Sequence, residues 1–238
     1  MKFDNLHRLD SYFEPMVLST DSKARRRELA ELLTDAFLYF FSVYEVHNMY
    51  NSMLGRAMYE QLLADRISDA VSKVTGIDSE MSGHIRTLAK QVVDTTYKNA
   101  QIEQNSPKNH NSSAHFAYTE SSGSPNLPDD SPLKDNDTES ENYWLSFNRA
   151  SDIGYSEANT FFNYTDYKEA QDRGCTKKTW HTMLDPKVRS SHEEIEGQTI
   201  GIDELFYVGT SQMRFPHDWQ SSPDPKEVVN CRCAVEYM

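Results

Sequence analysis

The side chains best suited to chemistry lie near the C-terminus. Cys231 and Cys233 stand two apart, and on a strand both would point to one face. A bond between such near neighbours closes a strained ring, so the pair reads as two thiols rather than a disulfide. Two thiolates and one imidazole make a workable zinc-ligand set, and His192 is the best third ligand. Asp185 is carried as the fourth, with His181 and His217 as alternatives. A closed site of that kind would be structural and would staple a module too small to hold itself together. The spacing departs from the usual Cys-x-x-Cys knuckle, and the plain alternative makes both cysteines small core residues.

The elements that must position these groups are short. Residues 179–183 alternate as a strand does. Asp185-Pro186 reads as a turn, and the spacing predicts a short helix with Pro186 at its first position. Such a helix brings Asp185, Arg189 and His192 near one face, where an Asp185–Arg189 pair could fix the turn. Asp185, Arg189, Asn230 and Arg232 are therefore read as a structural polar staple. His192, Asp185 and Cys231 also form a superficial Cys-His-Asp set. No nucleophile elbow, phosphate loop or two-metal carboxylate cluster accompanies it, so no enzyme is expected. The alternative is a zinc-dependent hydrolase or nuclease using His192 and the Cys231/Cys233 pair.

Ahead of this module the chain is helical and then polar. In residues 1–20 apolar side chains interrupted by Pro15 suggest a short helix or docking arm. Asp21 or Ser22 is the expected cap of the next helix. Leu29, Leu32, Leu33, Phe37, Phe40, Phe41 and Tyr44 recur at helical spacing. The pattern runs on past Gly55, a bend or helix contact, to Gly76, and resumes after a cap at Asp78 or Ser79. The aromatic and Met stripe from Phe37 to Met58 is read as core, with a partner-binding face as the sharper alternative. Arg25-Arg26-Arg27 opposes the macrodipole at the first turn; a solvated surface cluster is the preferred reading, an acidic partner the other. Residues 104–140 contain neither Val nor Ile and cannot bury enough apolar surface to offset ordering entropy.

The expected architecture is α+β: a helical region over 1–103, a flexible polar linker over 104–141, and over 142–238 a helix followed by a small mixed α/β module. A net charge of −13 makes the chain a poor neutraliser of DNA phosphates, so DNA contact is not indicated. The longest apolar run, residues 36–44, is far too short to span a bilayer, and no signal peptide is visible at the start. With three cysteines, a secreted disulfide scaffold is not expected. The reading is of a protein made in the cytosol. The chain runs only five residues past Cys233, so no effector domain is expected behind it.

The C-terminal landmarks together resemble a known family. Lys178, Trp180, Asp185, Val188, Arg189, His192, Gly197, Phe206, Pro216, Asp218, Asn230, Cys231, Arg232 and Cys233 follow in the order found in phage Mu protein F-like proteins. Arg149-Ala150 and Ser156-Glu157 fit the preceding helix, Ser156 replacing a Thr. His217 stands where the family has a small residue, often Gly. The resemblance implies a minor head protein of a tailed phage or prophage, acting in head morphogenesis. It further implies binding to the portal inside the procapsid, with scaffold or major capsid protein as further partners and an influence on DNA packaging or ejection. The implied location is the virion head, with the host cytoplasm during assembly. The helical N-terminal region would be the docking part.

Overall fold

Ser19 opens the first long helix. Its hydroxyl accepts the Ser22 N–H at 3.1 Å, so the cap falls at Ser19 rather than at Asp21 or Ser22. In this computed structural model, residues 12–14, 17–49, 55–76, 78–105 and 143–238 are described. Helix α1 spans Thr20–Met49, α2 Arg56–Val74 and α3 Ser79–Asn105. The run that looked continuous through Gly55 is thus two helices, and Gly55 is the N-cap of the second. Asp78 caps α3, accepting the Met81 N–H at 2.8 Å. Nearly all of the expected linker, 104–141, lies outside the described residues, as does Pro15.

The apolar stripe of α1 is core: Leu29, Leu33, Phe37, Phe40, Phe41 and Tyr44 are buried, whereas Met58 is exposed. The stripe is covered by this chain's own helices. Tyr44 and Phe40 meet Tyr59 of α2, and Tyr44 meets Tyr97 of α3 with ring centroids 4.9 Å apart. Upstream, Phe13 stacks on Tyr155 at 5.4 Å.

Helix α4, Phe147–Asp172, is one continuous element capped by Ser146. It packs along α1 more extensively than any other pair of elements does. At Gly154 an added Cβ would lie 2.5 Å from Thr34 Oγ1 and 2.8 Å from the Ala30 carbonyl. Only glycine lets the two backbones come so close. The basic first turn of α1 also resolves here. Arg26 is buried without exposed surface and pairs with Asp166 at 2.5 Å, so the preferred reading of a solvated cluster is overturned for this residue. Removing a guanidinium from water requires such a partner, and Asn159 and Asn163 complete its shell.

Past Gly174, which ends α4 at φ +75°, the chain forms two small sheets. Strand β1, Lys177–His181, lies between β2, Thr199–Gly201, and β5, Ala234–Tyr237, both antiparallel to it. Strands β3, Phe206–Val208, and β4, Ser211–Met213, make a hairpin. Trp180 anchors the module, buried between β5, the hairpin and His192, 5.2 Å from the Phe206 ring and 5.8 Å from the imidazole. The observed strand sits two residues upstream of the expected 179–183. Two four-residue helices complete the module, α5 at Ser190–Glu193 and α6 at Pro225–Val228. No helix is expected or found to cross a membrane among the described residues.

Candidate metal centre

Helix α5 begins at Ser190 with Arg189 as N-cap, not at Pro186. Asp185 holds a turn instead: its carboxylate accepts the Lys187 N–H at 3.0 Å and its carbonyl the Val188 N–H at 3.0 Å. The later start corrects the expected single helical face. Asp185 pairs with Arg232, whose Nη1 and Nη2 each lie 2.8 Å from a carboxylate oxygen, and Arg189 donates to the Val229 carbonyl. The Arg232 hydrogen bond is the main influence holding the Asp185 carboxyl below its usual range. Asn230 takes no part through its side chain in the bonds seen here; its backbone, at φ +55°, turns the chain from α6 into the cysteine segment, a conformation Asn tolerates better than most.

The turn points Cys231 and Cys233 to one side, against α5. His192 Nδ1 lies 3.5 Å from Cys231 Sγ and 3.3 Å from Cys233 Sγ. All three side chains are buried, at 1%, 2% and 4% exposure, and their donor atoms lie within 4.8 Å of one another. Asp185, committed to Arg232, is not among these donors. Neither are the alternatives. His181 lies between Glu196 and Glu236 at 3.3 and 3.4 Å. His217 donates from Nε2 to the Cys231 carbonyl at 2.8 Å and accepts at Nδ1 from Thr160, 3.0 Å away. His217 has φ +66°, the left-handed backbone that favours the glycine expected there.

Glu227 is the member that sequence reading missed. Its Oε2 lies 3.3 Å from His192 Nε2 and accepts the Ser191 hydroxyl at 2.7 Å. The Nε2 contact is electrostatic, since its alignment falls short of a hydrogen bond. Gly209, in the β3–β4 turn at φ +57°, leaves room for this carboxylate; a Cβ there would lie 2.4 Å from Glu227 Oε1. In sequence Glu227 follows an Asp-Pro turn and reads as surface. Nothing in its spacing links it to His192.

The cluster separates charge. Burial works against a thiolate at Cys231, but hydrogen bonds from Cys233 and His192 outweigh it and bring that thiol well below its usual range. Cys233 goes the other way, raised by its bond to Cys231 and by burial. For His192, burial opposes the imidazolium, and the Cys231 hydrogen bond and charge win, raising it. The indole N–H of Trp180 has no hydrogen-bond partner of ordinary geometry, yet it lies close enough to Cys233 to favour that sulfur's thiolate.

The cysteine backbone is clamped from the opposite side. Asn159 of α4 donates to the carbonyls of Cys231 and Cys233, each at 3.2 Å. A small cavity beside the two sulfurs is lined by Lys187, Arg189 and Arg232 among others.

Comparison with known proteins agrees with the landmark order. Residues 136–236 match the family described as Phage Mu protein F like protein, and this region is a domain of that family. The family is one of phage head morphogenesis. A curated relative, the NAD(+)–arginine ADP-ribosyltransferase EFV of Enterococcus faecalis (strain ATCC 700802 / V583), is 30% identical over 94 residues. The match covers 38% of this chain and 19% of the relative, so the chain spans about a fifth of that protein's length. No solved structure matches.

Proposed function

Taking residues 136–236 as a Mu F-like domain, we propose that the protein is a minor head component of a tailed phage or prophage. It binds the portal inside the procapsid and influences DNA packaging or ejection. The observation that carries this reading is the family match, whose landmark residues Lys178, Trp180, His192, Cys231 and Cys233 all fall in the buried heart of one module. The helical region before it serves as the docking part, and the assembled head is its location, reached from the host cytoplasm. A net charge of −13 favours protein surfaces over nucleic acid as partners; scaffold and major capsid protein are the further candidates.

The hydrolase or nuclease alternative gains nothing from the geometry. Cys231, His192 and Glu227 stand in the order of a nucleophile, base and orienting carboxylate, but all are buried, and only a small cavity lined by Lys187, Arg189 and Arg232 reaches the sulfurs. The activity named for the enterococcal relative belongs to that protein, most of which has no counterpart here.

Purified full-length chain is expected to co-purify with portal protein from the same genome, and mass spectrometry of virions to find it at low copy. A chain that ignores portal, scaffold and capsid protein, and is missing from virions, overturns the reading.

A further inference from the structure

We propose that His192 Nδ1, Cys231 Sγ and Cys233 Sγ bind one zinc ion, with Glu227 orienting the imidazole from its far side and the fourth position facing the cavity beside Arg189. The inference does not rest on the head-protein reading.

Distance is the first argument. Zinc holds sulfur at about 2.3 Å and imidazole nitrogen at about 2.0–2.1 Å, so a tetrahedral centre sets N and S roughly 3.5 Å apart. The two separations here are 3.3 and 3.5 Å. Both sulfurs take the same nitrogen as neighbour, which leaves a common point between all three donors.

Tautomer is the second. Glu227 Oε2 lies 3.3 Å from Nε2, and a carboxylate beside that nitrogen favours the tautomer that carries the proton there, while Nδ1 faces both sulfurs. The Nδ1 lone pair is then left for the metal. Metal-bound histidines commonly direct their other nitrogen to a carboxylate in this way. Glu227 is itself fixed by Ser191 and by the space at Gly209, an investment in orientation that two inert core thiols would not need.

Donor chemistry and surroundings are the third. Two thiolates with imidazole select zinc over magnesium or calcium, and two thiolates cancel the ion's charge inside a buried site. Three protein ligands with one remaining position beside a cavity match the open arrangement, in which water completes the shell.

The test uses full-length protein made in zinc-supplemented medium. About one zinc per chain is expected by elemental analysis. Apo protein titrated with cobalt chloride should develop thiolate-to-cobalt charge transfer and the intense visible bands of a tetrahedral ion. Zinc should shield two of the three thiols from alkylation, leaving Cys175 reactive. Cys175→Ser should bind as wild type does. Cys233→Ser and His192→Gln should lose the charge-transfer spectrum or weaken binding steeply. Because those variants remove ligands and could unfold the module, Glu227→Gln is the second probe; it should still bind, with affinity lowered about 10–100-fold. Substoichiometric zinc with no thiolate band, equal alkylation of all three cysteines with and without zinc, or iron in place of zinc would overturn the proposal. So would a Glu227→Gln affinity equal to wild type, for the orienting role.

Discussion

Asp218 is a carboxylate with no exposed surface. It accepts from Arg214 Nε at 2.8 Å and Nη2 at 2.7 Å, and from the Ser221 hydroxyl at 2.6 Å. Burial works against its charge, and these donors outweigh that, holding it below the usual carboxylate range. Asp218→Asn should cost about 2–4 kcal/mol, the cost of breaking a buried charged network, read as a lower urea midpoint at unchanged slope. Since the folded pKa is depressed, the contribution is present above the unfolded pKa and lost as pH falls through the folded one; the variant should therefore lose less stability on acidification than wild type does. Lys178 carries the opposite sign. Burial pushes its ammonium down to about 8 while it donates to the carbonyls of Ile202 and Glu204 at 2.7 and 2.6 Å. Between about pH 8 and 10 the unfolded chain holds the extra proton, so stability should rise with pH across that window. Wild type should gain on Lys178→Met over that range in denaturant titrations; parallel curves would refute the assignment. At this scale the sequence exposed residue types but not all pairings. Cys231, Cys233 and His192 were visible because their types are chemically rare. Arg232, not Arg189, proved to be the partner of Asp185, because the chain spends residues 185–188 on a turn before α5 begins. Glu227 was invisible because contact with His192 depends on the tertiary approach of two four-residue helices.

Elements were legible in proportion to their length. Periodicity alone locates α1, α3 and α4, each held by a stripe that recurs over many turns. It fails at Gly55, which caps α2 although the helical pattern in sequence runs on past it. Short strands suffer most, since a shift of two residues preserves alternation; β1 was displaced by that amount. The α1–α4 contact was hidden because Gly154 reads in sequence as a weak helix former, whereas in the fold it is the point of closest approach. Gly154→Ala should lower thermal stability despite the roughly 1 kcal/mol that alanine's propensity returns. Two of the three atoms it would meet are backbone, at 2.8 and 2.9 Å, so the helices must part, a strain of about 1–3 kcal/mol. Calorimetry of the variant decides; an unchanged or raised Tm would mean the interface yields freely.

For the molecule as a whole, the family region does not coincide with a self-contained unit. Helix α4 lies within the matched residues, yet its partners for Phe162 and Gly154 include α1, and its Asn159 and Asp166 complete the shell of Arg26. A fragment of residues 143–238 alone should therefore expose apolar surface. It should bind a hydrophobic dye and show poor amide dispersion by NMR, while the full chain does neither; a well-dispersed fragment would show that the module stands by itself.

One amide deserves to be followed across the molecule. Asn159 receives the Arg26 guanidinium on its oxygen and with its nitrogen holds the carbonyls on either side of Arg232. The first helix and the thiol segment, more than two hundred residues apart in the chain, thus share a single planar group. An oxygen on one edge and an NH₂ on the other leave little freedom to rotate without forfeiting both attachments. The shared group makes hydrogen exchange near Arg26 the place to look for a distant response to events at Cys231: zinc loading should slow it, and unchanged exchange would show that the two ends move independently.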